Sequence, residues 1–321
     1  MTIIYYFTNV NTLYYNIKIV LFFIKIFIAF YMIFSIIKIC KKQKIEVKNM
    51  ELGVIIPLYY FEEYFKKLQE LGFTTCQLNS FDVSIMTKDM ADKVLEASKK
   101  YGIKISALWC GWSGPQAWNF YEGPHTLGLV PLTYRETRIK ELKKGSDFAK
   151  MLGVTDIVTH VGFLPEVPTT TEYHSIVFAL KDLASYIKKN GQYFLFETGQ
   201  ETPITLKRII EDVGTGNLGI NLDPANLIMY GKANPIDALD VFGEYVRGVH
   251  GKDGLYPTDG HRLGKEVKLG EGKVNFPLFI RRLKEVGYKG PITIEREISG
   301  EQQTKDILVA KELLENLIKG E

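Results

Sequence analysis

Residues 193–250 read YFLFETGQETPITLKRIIEDVGTGNLGINLDPANLIMYGKANPIDALDVFGEYVRGVH. Three short apolar runs, 193–197, 218–223 and 247–250, are separated by stretches whose apolar residues recur at three- and four-residue spacing. Short apolar runs of this length suit buried strands, and the spaced stretches suit amphipathic helices. Strands that alternate with helices in this way build a parallel sheet. Each of the three strands stops on a residue out of place in an apolar run: Glu197, Asp223 and His250.

The alternation extends in both directions. Further strands are expected at 52–58, 75–79, 104–109, 156–162 and 291–295, which makes eight in all. Helices such as YFEEYFKKLQELG (60–72), RETRIKELKKGSDFAKMLG (135–153) and NFPLFIRRLKEVG (275–287) lie between them. Several of these helices stop at a glycine, at Gly72, Gly102, Gly153, Gly191 and Gly287, as helix C-termini favour. Asn275 is the expected N-cap of the helix that follows LGEGKV. Eight strand–helix units from Met50 onward have the size of a single-domain (β/α)8 TIM barrel. An open doubly wound sheet would need fewer strands and a glycine-rich phosphate loop after the first. Here VIIPLYY follows instead.

A barrel gathers its chemistry at the C-terminal ends of its strands. Strand four ends in VTHVGF and offers His160. Strands five to eight offer Glu197, Asp223, His250 and Glu295. The steps from Glu197 are 26, 27 and 45 residues, and the last is long because a loop, 254–274, intervenes. Taken singly, Asp223 before Pro224 reads as a turn cap, His250 as a core group and Glu295 beside Arg296 as a surface ion pair. Carboxylates at the ends of apolar strands are costly to bury unless they are paired or bind a metal. Three carboxylates and a histidine in register at four successive strand ends suit Mn²⁺, Mg²⁺ or Co²⁺.

The segments FLFETGQET, GINLDPAN, VRGVHGKD, LGEGKVNF and GPITIERE resemble the sugar phosphate isomerase/epimerase family. That family belongs to the xylose isomerase-like TIM barrels, which also include ketose 3-epimerases and endonuclease IV-type repair enzymes. The resemblance covers residues 50–321. It implies that Glu197, Asp223, His250 and Glu295 hold one divalent ion, Mn²⁺ first and Mg²⁺ or Co²⁺ as alternatives. It further implies that Glu197 and Glu295 are the proton-transfer pair. Moving a proton beside a sugar carbonyl passes through an enediolate, which a divalent cation stabilises. Two carboxylates on opposite faces of the carbon can remove and return the proton. Ketose 3-epimerases commonly carry a histidine three residues after the aspartate ligand, where this chain has Asn226. The same site also suits a lyase or dehydratase acting on a keto-sugar or 3-keto-glycoside. A barrel that binds sugar without catalysis is the third class, and intact ligands argue against it.

Other residues near the expected mouth suit a sugar. Strand three ends in ALWCGWSG, followed by Trp118 and Phe120, and aromatic rings pack on the apolar faces of sugars. Trp109 and Trp112 are candidate substrate contacts, although core packing explains Trp109 equally. His160 and Gln200 are candidate donors to hydroxyls, and Glu201 is a candidate acceptor. Asn226, Lys252 and Arg262 complete the set, the last two suiting a phosphate or carboxylate. The long loop 111–131 is expected to cover the site and govern substrate choice.

Residues 1–49 differ from the rest. They contain no Gly or Pro and one acid, Glu46, and 19–37 are almost wholly apolar. As a helix that run would span a bilayer, with Lys38, Lys41, Lys42 and Lys44 holding the barrel on the cytoplasmic side. The bias to Ile, Phe, Tyr, Asn and Lys equally fits translated A/T-rich sequence upstream of a true start at Met50, and a buried helix is the third reading. In each case 50–321 carries the function. The net charge of +3 and the lack of a basic stretch after residue 50 argue against nucleic acid as partner. Five histidines are too few for the trinuclear zinc site of an abasic-site endonuclease, and His174 and His261 fall in helix and loop. Three cysteines without a CxxC pair suggest neither a disulfide framework nor a structural zinc site and fit a cytoplasmic location. The expected partners are a small sugar substrate and further copies of the chain.

Overall fold

The structure, a computed structural model, describes residues 50–320. The extension 1–49, and with it the possible span at 19–37, lies outside the described residues. Within them no helix is long and apolar enough to cross a membrane.

Eight parallel strands close a barrel: β1 (Leu52–Pro57), β2 (Thr75–Ser80), β3 (Lys104–Cys110), β4 (Asp156–Thr159), β5 (Tyr193–Glu197), β6 (Leu218–Leu222), β7 (Val246–Gly251) and β8 (Ile292–Ile294). Each strand pairs with its neighbours in the sequence, and β1 closes on β8. The connecting helices are α1 (Phe61–Glu70), α2 (Lys88–Tyr101), α3 (Leu132–Met151), α4 (Thr171–Lys189), α5 (Pro203–Val213), α6 (Pro235–Phe242), α7 (Phe276–Glu285) and α8 (Glu301–Lys319). Short helices Gly123–Thr126 and Pro224–Met229 lie in the loops after β3 and β6.

The expected elements are all present, with ends moved by one to three residues. Strand four stops at Thr159 rather than 162. Beyond it the chain turns to meet the loop after β3, and Leu129 N donates to Val161 O at 2.8 Å. Strand six stops at Leu222 because Asp223 leaves the ladder to cap Pro224–Met229. In α5, Leu206, Ile209, Ile210 and Val213 face inward at helical spacing and are buried. Each such side chain contributes about 1.5–3 kcal/mol relative to exposure. Thr202 caps the first turn by accepting from Thr205 N. Gly102, at φ 68°, ends α2 as the sequence implied.

Strand parity separates the core from the lumen. In β5, Phe194 and Phe196 pack in the main hydrophobic cluster, while Leu195 joins Ala107, Trp109, Trp112, Leu127 and Val158 in a second one. Side chains alternate along a strand, so Glu197 shares the Leu195 face. Glu197 pairs in register with Asn221, and Thr293 with His250.

The loop after β3 is fixed from α3. Arg138 is fully buried in the middle of that helix. Its guanidinium donates to the carbonyls of Ser113, Pro115, Thr126 and Gly128 at 3.2, 3.0, 2.8 and 2.7 Å. It also lies against the rings of Trp112 and Tyr134. Gly128 has φ +69°, and a Cβ there would come within 2.1 Å of the Val161 carbonyl carbon. Only glycine lets the loop approach the segment after β4 so closely. Replacing Arg138 by Met should cost about 3 kcal/mol by leaving several carbonyls unpaired. Limited proteolysis should then cut within 111–131 before the barrel unfolds. Cleavage no faster than in the parent protein would show that the loop holds itself in place.

Candidate metal centre and pocket

Strand parity and register bring four side chains to one point. Single ligand atoms from Glu197, Asp223, His250 and Glu295 lie within 4.8 Å of one another. His250 Nδ1 is 3.4 Å from Glu197 Oε1, 3.3 Å from Asp223 Oδ2 and 3.3 Å from Glu295 Oε2. Asp223 uses its two oxygens differently: Oδ1 caps the short helix by accepting from Asn226 N at 2.8 Å, and Oδ2 faces the cluster. Arg296 is paired with Glu266 and Asp306, not with Glu295.

The donor set suits a divalent cation. Three carboxylates and an imidazole make an oxygen-rich site for Mg²⁺, Mn²⁺ or a similar ion. The surroundings orient the ligands as a metal requires. Gln77 Oε1 lies 2.7 Å from His250 Nε2. Asn221 Nδ2 lies 3.0 Å from the same nitrogen, so two side-chain amides fix Nε2 while Nδ1 faces the carboxylates, where a metal would take the place of a proton. Glu197 Oε2 accepts from the Trp109 indole N–H, which leaves Oε1 toward the centre.

Charge balance follows the geometry. Burial opposes ionisation of Glu197, yet His160 and His250 beside it hold its carboxyl below the usual range. Desolvation likewise opposes ionisation of the half-buried Glu295, yet Lys252 and His250 hold it well below that range. For Asp223 burial prevails over Lys252 and His250 and raises the pKa. Lys252 is buried, and Glu295, Glu297 and Asp223 keep its ammonium protonated despite that. Its Nζ is 3.1 Å from Glu295 Oε2, 2.8 Å from Glu297 Oε1 and 3.7 Å from Asp223 Oδ2.

A cavity of about 440 Å³ opens above the cluster. Of the four ligand residues, only Glu197 and Glu295 line it. Asp223 and His250 are fully buried beneath. Trp109, His160 and Asn226 line it as expected, with Trp118. His160 Nε2 is 3.5 Å from Glu197 Oε1, and the Trp118 and His160 rings are 5.2 Å apart. Asn226 Nδ2 donates to Glu197 Oε1 at 3.4 Å and Oδ1 accepts from Lys252 Nζ at 3.5 Å.

Several expected contacts lie elsewhere. Trp112 is buried behind Trp109, stacked near Arg138, and does not reach the cavity. Arg262 projects into solvent with its side chain 85% exposed beside Asp259. Gln200 is buried and donates to Tyr230 Oη at 3.0 Å, so it supports the wall from behind. Lys252 stands one layer back, clamped by carboxylates. Sequence reasoning missed Gln77, Asn79, Phe81 and Glu297. Gln77 and Asn79 carried a readable signal, since both are polar residues at alternate positions of strand two.

A family model described as xylose isomerase-like TIM barrel matches residues 65–318. A xylose isomerase domain protein from Planctomyces limnophilus is 36% identical, with a TM-score of 0.79 over 85% of this chain and 98% of its own. A D-tagatose 3-epimerase-like protein shares the fold at 22% identity and TM-score 0.64, over 84% and 97% of the two chains. An uncharacterized Methanocaldococcus jannaschii protein, MJ1311, is 30% identical over 175 residues, which are 51% of this chain and 56% of that protein. The chain thus spans little more than half the length of that relative.

Glu201 is buried just past β5, off the cavity lining, and neither carboxylate oxygen has a hydrogen-bond partner among the described residues. Burial pushes its carboxyl up to about 8, and nearby loop amides and Lys232 offset this only in part. The folded protein therefore holds this proton more tightly than the unfolded chain does. Its contribution to stability is full below the ordinary value of 4.5 and is lost as pH rises to about 8. Glu201→Gln should remove that dependence. The melting temperature of the parent should fall relative to the variant across this window. Parallel melting curves would mean that Glu201 is ionised or solvated.

Proposed function

The chain belongs to the xylose isomerase-like TIM barrel family, and on that premise we propose a divalent-metal-dependent sugar isomerase or epimerase acting by proton transfer beside a carbonyl. One observation carries the reading: of four converging ligand residues, only the two glutamates line the cavity. Asp223 and His250 are thereby suited to holding the ion, while Glu197 and Glu295 also meet the substrate. A divalent cation, Mn²⁺ first, would supply Lewis-acid stabilisation of negative charge on the carbonyl oxygen.

The residues of the chain divide the remaining work. Glu197, kept ionised by its histidine neighbours, removes a proton from one face of the carbon. Glu295 serves the other face. Lys252 and His250, which hold its carboxyl low, are the groups that tune it. The Trp109 N–H fixes one Glu197 oxygen, so the acceptor stays in place as its charge changes. His160, beside Glu197, and Asn226 are placed to donate to substrate hydroxyls. Trp109, Trp118 and Phe81 supply apolar surface for the sugar ring and exclude water.

The test is deuterium uptake from D₂O into a panel of keto-sugars with Mn²⁺-loaded protein. Glu197→Gln and Glu295→Gln should lower kcat by about 10²–10⁴-fold while calorimetry still shows metal binding. Asp223→Asn and His250→Ala should lose the metal first, with activity partly restored by added Mn²⁺. Near-normal turnover in both glutamine variants would remove the two-carboxylate mechanism.

A further inference from the structure

We propose, resting on the sugar reading above, that the site takes neutral sugars and turns away phosphorylated and carboxylated ones. The first ground is the cavity wall. Among the described residues none of those lining it is Arg or Lys, and Glu297 adds a carboxylate at its rim. The side chain of Glu297 is 57% exposed on the cavity side of Lys252. Three ligand carboxylates against one divalent ion and one lysine leave the floor neutral. Glu297 then makes the wall negative. An anionic group on the substrate would face that charge with no Arg or Lys side chain on the lining to meet it.

Lys252 does not supply the missing cation. Its ammonium is 2% exposed and is held by Glu295 and Glu297 at once. Freeing it for a phosphate would leave both carboxylates without their partner.

The second ground is independent of the wall. Barrels that bind phosphate commonly do so with backbone amides of the loops after strands seven and eight. This chain has such a glycine-rich turn after β7, in LGEGKV (269–274). Its amides point inward together, but they close on the chain's own anion. Asp253 Oδ2 accepts from Gly270 N and Gly272 N at 3.0 Å each. Asp253 Oδ1 accepts from Val274 N at 3.1 Å and Gly254 N at 2.9 Å. The fit is tight, since a Cβ on Gly272 would fall 2.0 Å from Asp253 Oδ1. The amide cradle that could take a phosphate is filled by an internal carboxylate. The loop after β8 offers no substitute, for Glu297 lies in it and Glu301 opens α8.

The experiment uses the full-length, Mn²⁺-loaded protein and pairs of ketoses, each neutral sugar beside its terminal phosphate monoester. Deuterium uptake gives kcat/KM, and quenching of tryptophan fluorescence, with Trp109 and Trp118 at the cavity, gives affinity. Neutral members should exceed their phosphates by about tenfold or more in both, the scale of one unrelieved like-charge contact. Glu297→Gln should narrow that gap by strengthening phosphate binding specifically. Phosphates equal to or better than their neutral partners would overturn the inference. If no sugar exchanges deuterium, the isomerase reading fails, and the fluorescence titration alone decides: tighter neutral binding upholds the charge selection, while equal, reversed or absent binding overturns it.

Discussion

Three carboxylates and one imidazole converge inside a barrel, and their mutual repulsion is the constraint on which the rest of the site depends. Two like charges about 4 Å apart repel by about 4 kcal/mol even at an effective dielectric of 20. Each carboxylate therefore has a partner from elsewhere in the chain. Glu197 takes the Trp109 N–H, Asp223 takes a helix amide and Glu295 leans on Lys252. These partners come from strand three, the loop after strand six and the strand-seven turn. The site is thus a property of the closed barrel rather than of any one segment.

Much of this was legible in the sequence because barrel geometry is periodic. A residue that breaks an apolar run at a strand end must face either the core or the mouth, and Glu197, Asp223, His250 and Glu295 shared one phase. The eight strands followed from the same alternation. Boundaries were less legible where tertiary contacts decided them, as at Thr159, where the neighbouring loop ends the ladder.

The misplaced and missed residues share a different cause. Trp112 and Trp118 look equivalent in sequence, but the path of an irregular loop puts one behind Trp109 and the other at the cavity. Arg135 and Arg138 sit in a helix rich in charge, and nothing local marks them as the two that turn inward. Asp253 follows Lys252 with nothing local to mark it, yet its four amide partners lie at the near end and the far end of the loop 254–274. Irregular backbone and long-range polar contacts carry no period, and so leave no pattern to read.

The attachment of the loop after strand three bears on how quickly the site exchanges its contents. Many barrel enzymes close a mobile lid, and opening it on the microsecond to millisecond scale limits turnover. Here the loop is fastened through four carbonyls to an arginine inside a barrel helix, and Gly128 presses it onto the segment after β4. A segment held in that way does not swing as a body. Trp118, 40% exposed, lines the cavity with its ring 5.2 Å from that of His160. Side-chain rotation is faster than hinge motion by orders of magnitude. Any adjustment of the cavity wall on this side then falls to the Trp118 ring rather than to a swinging loop.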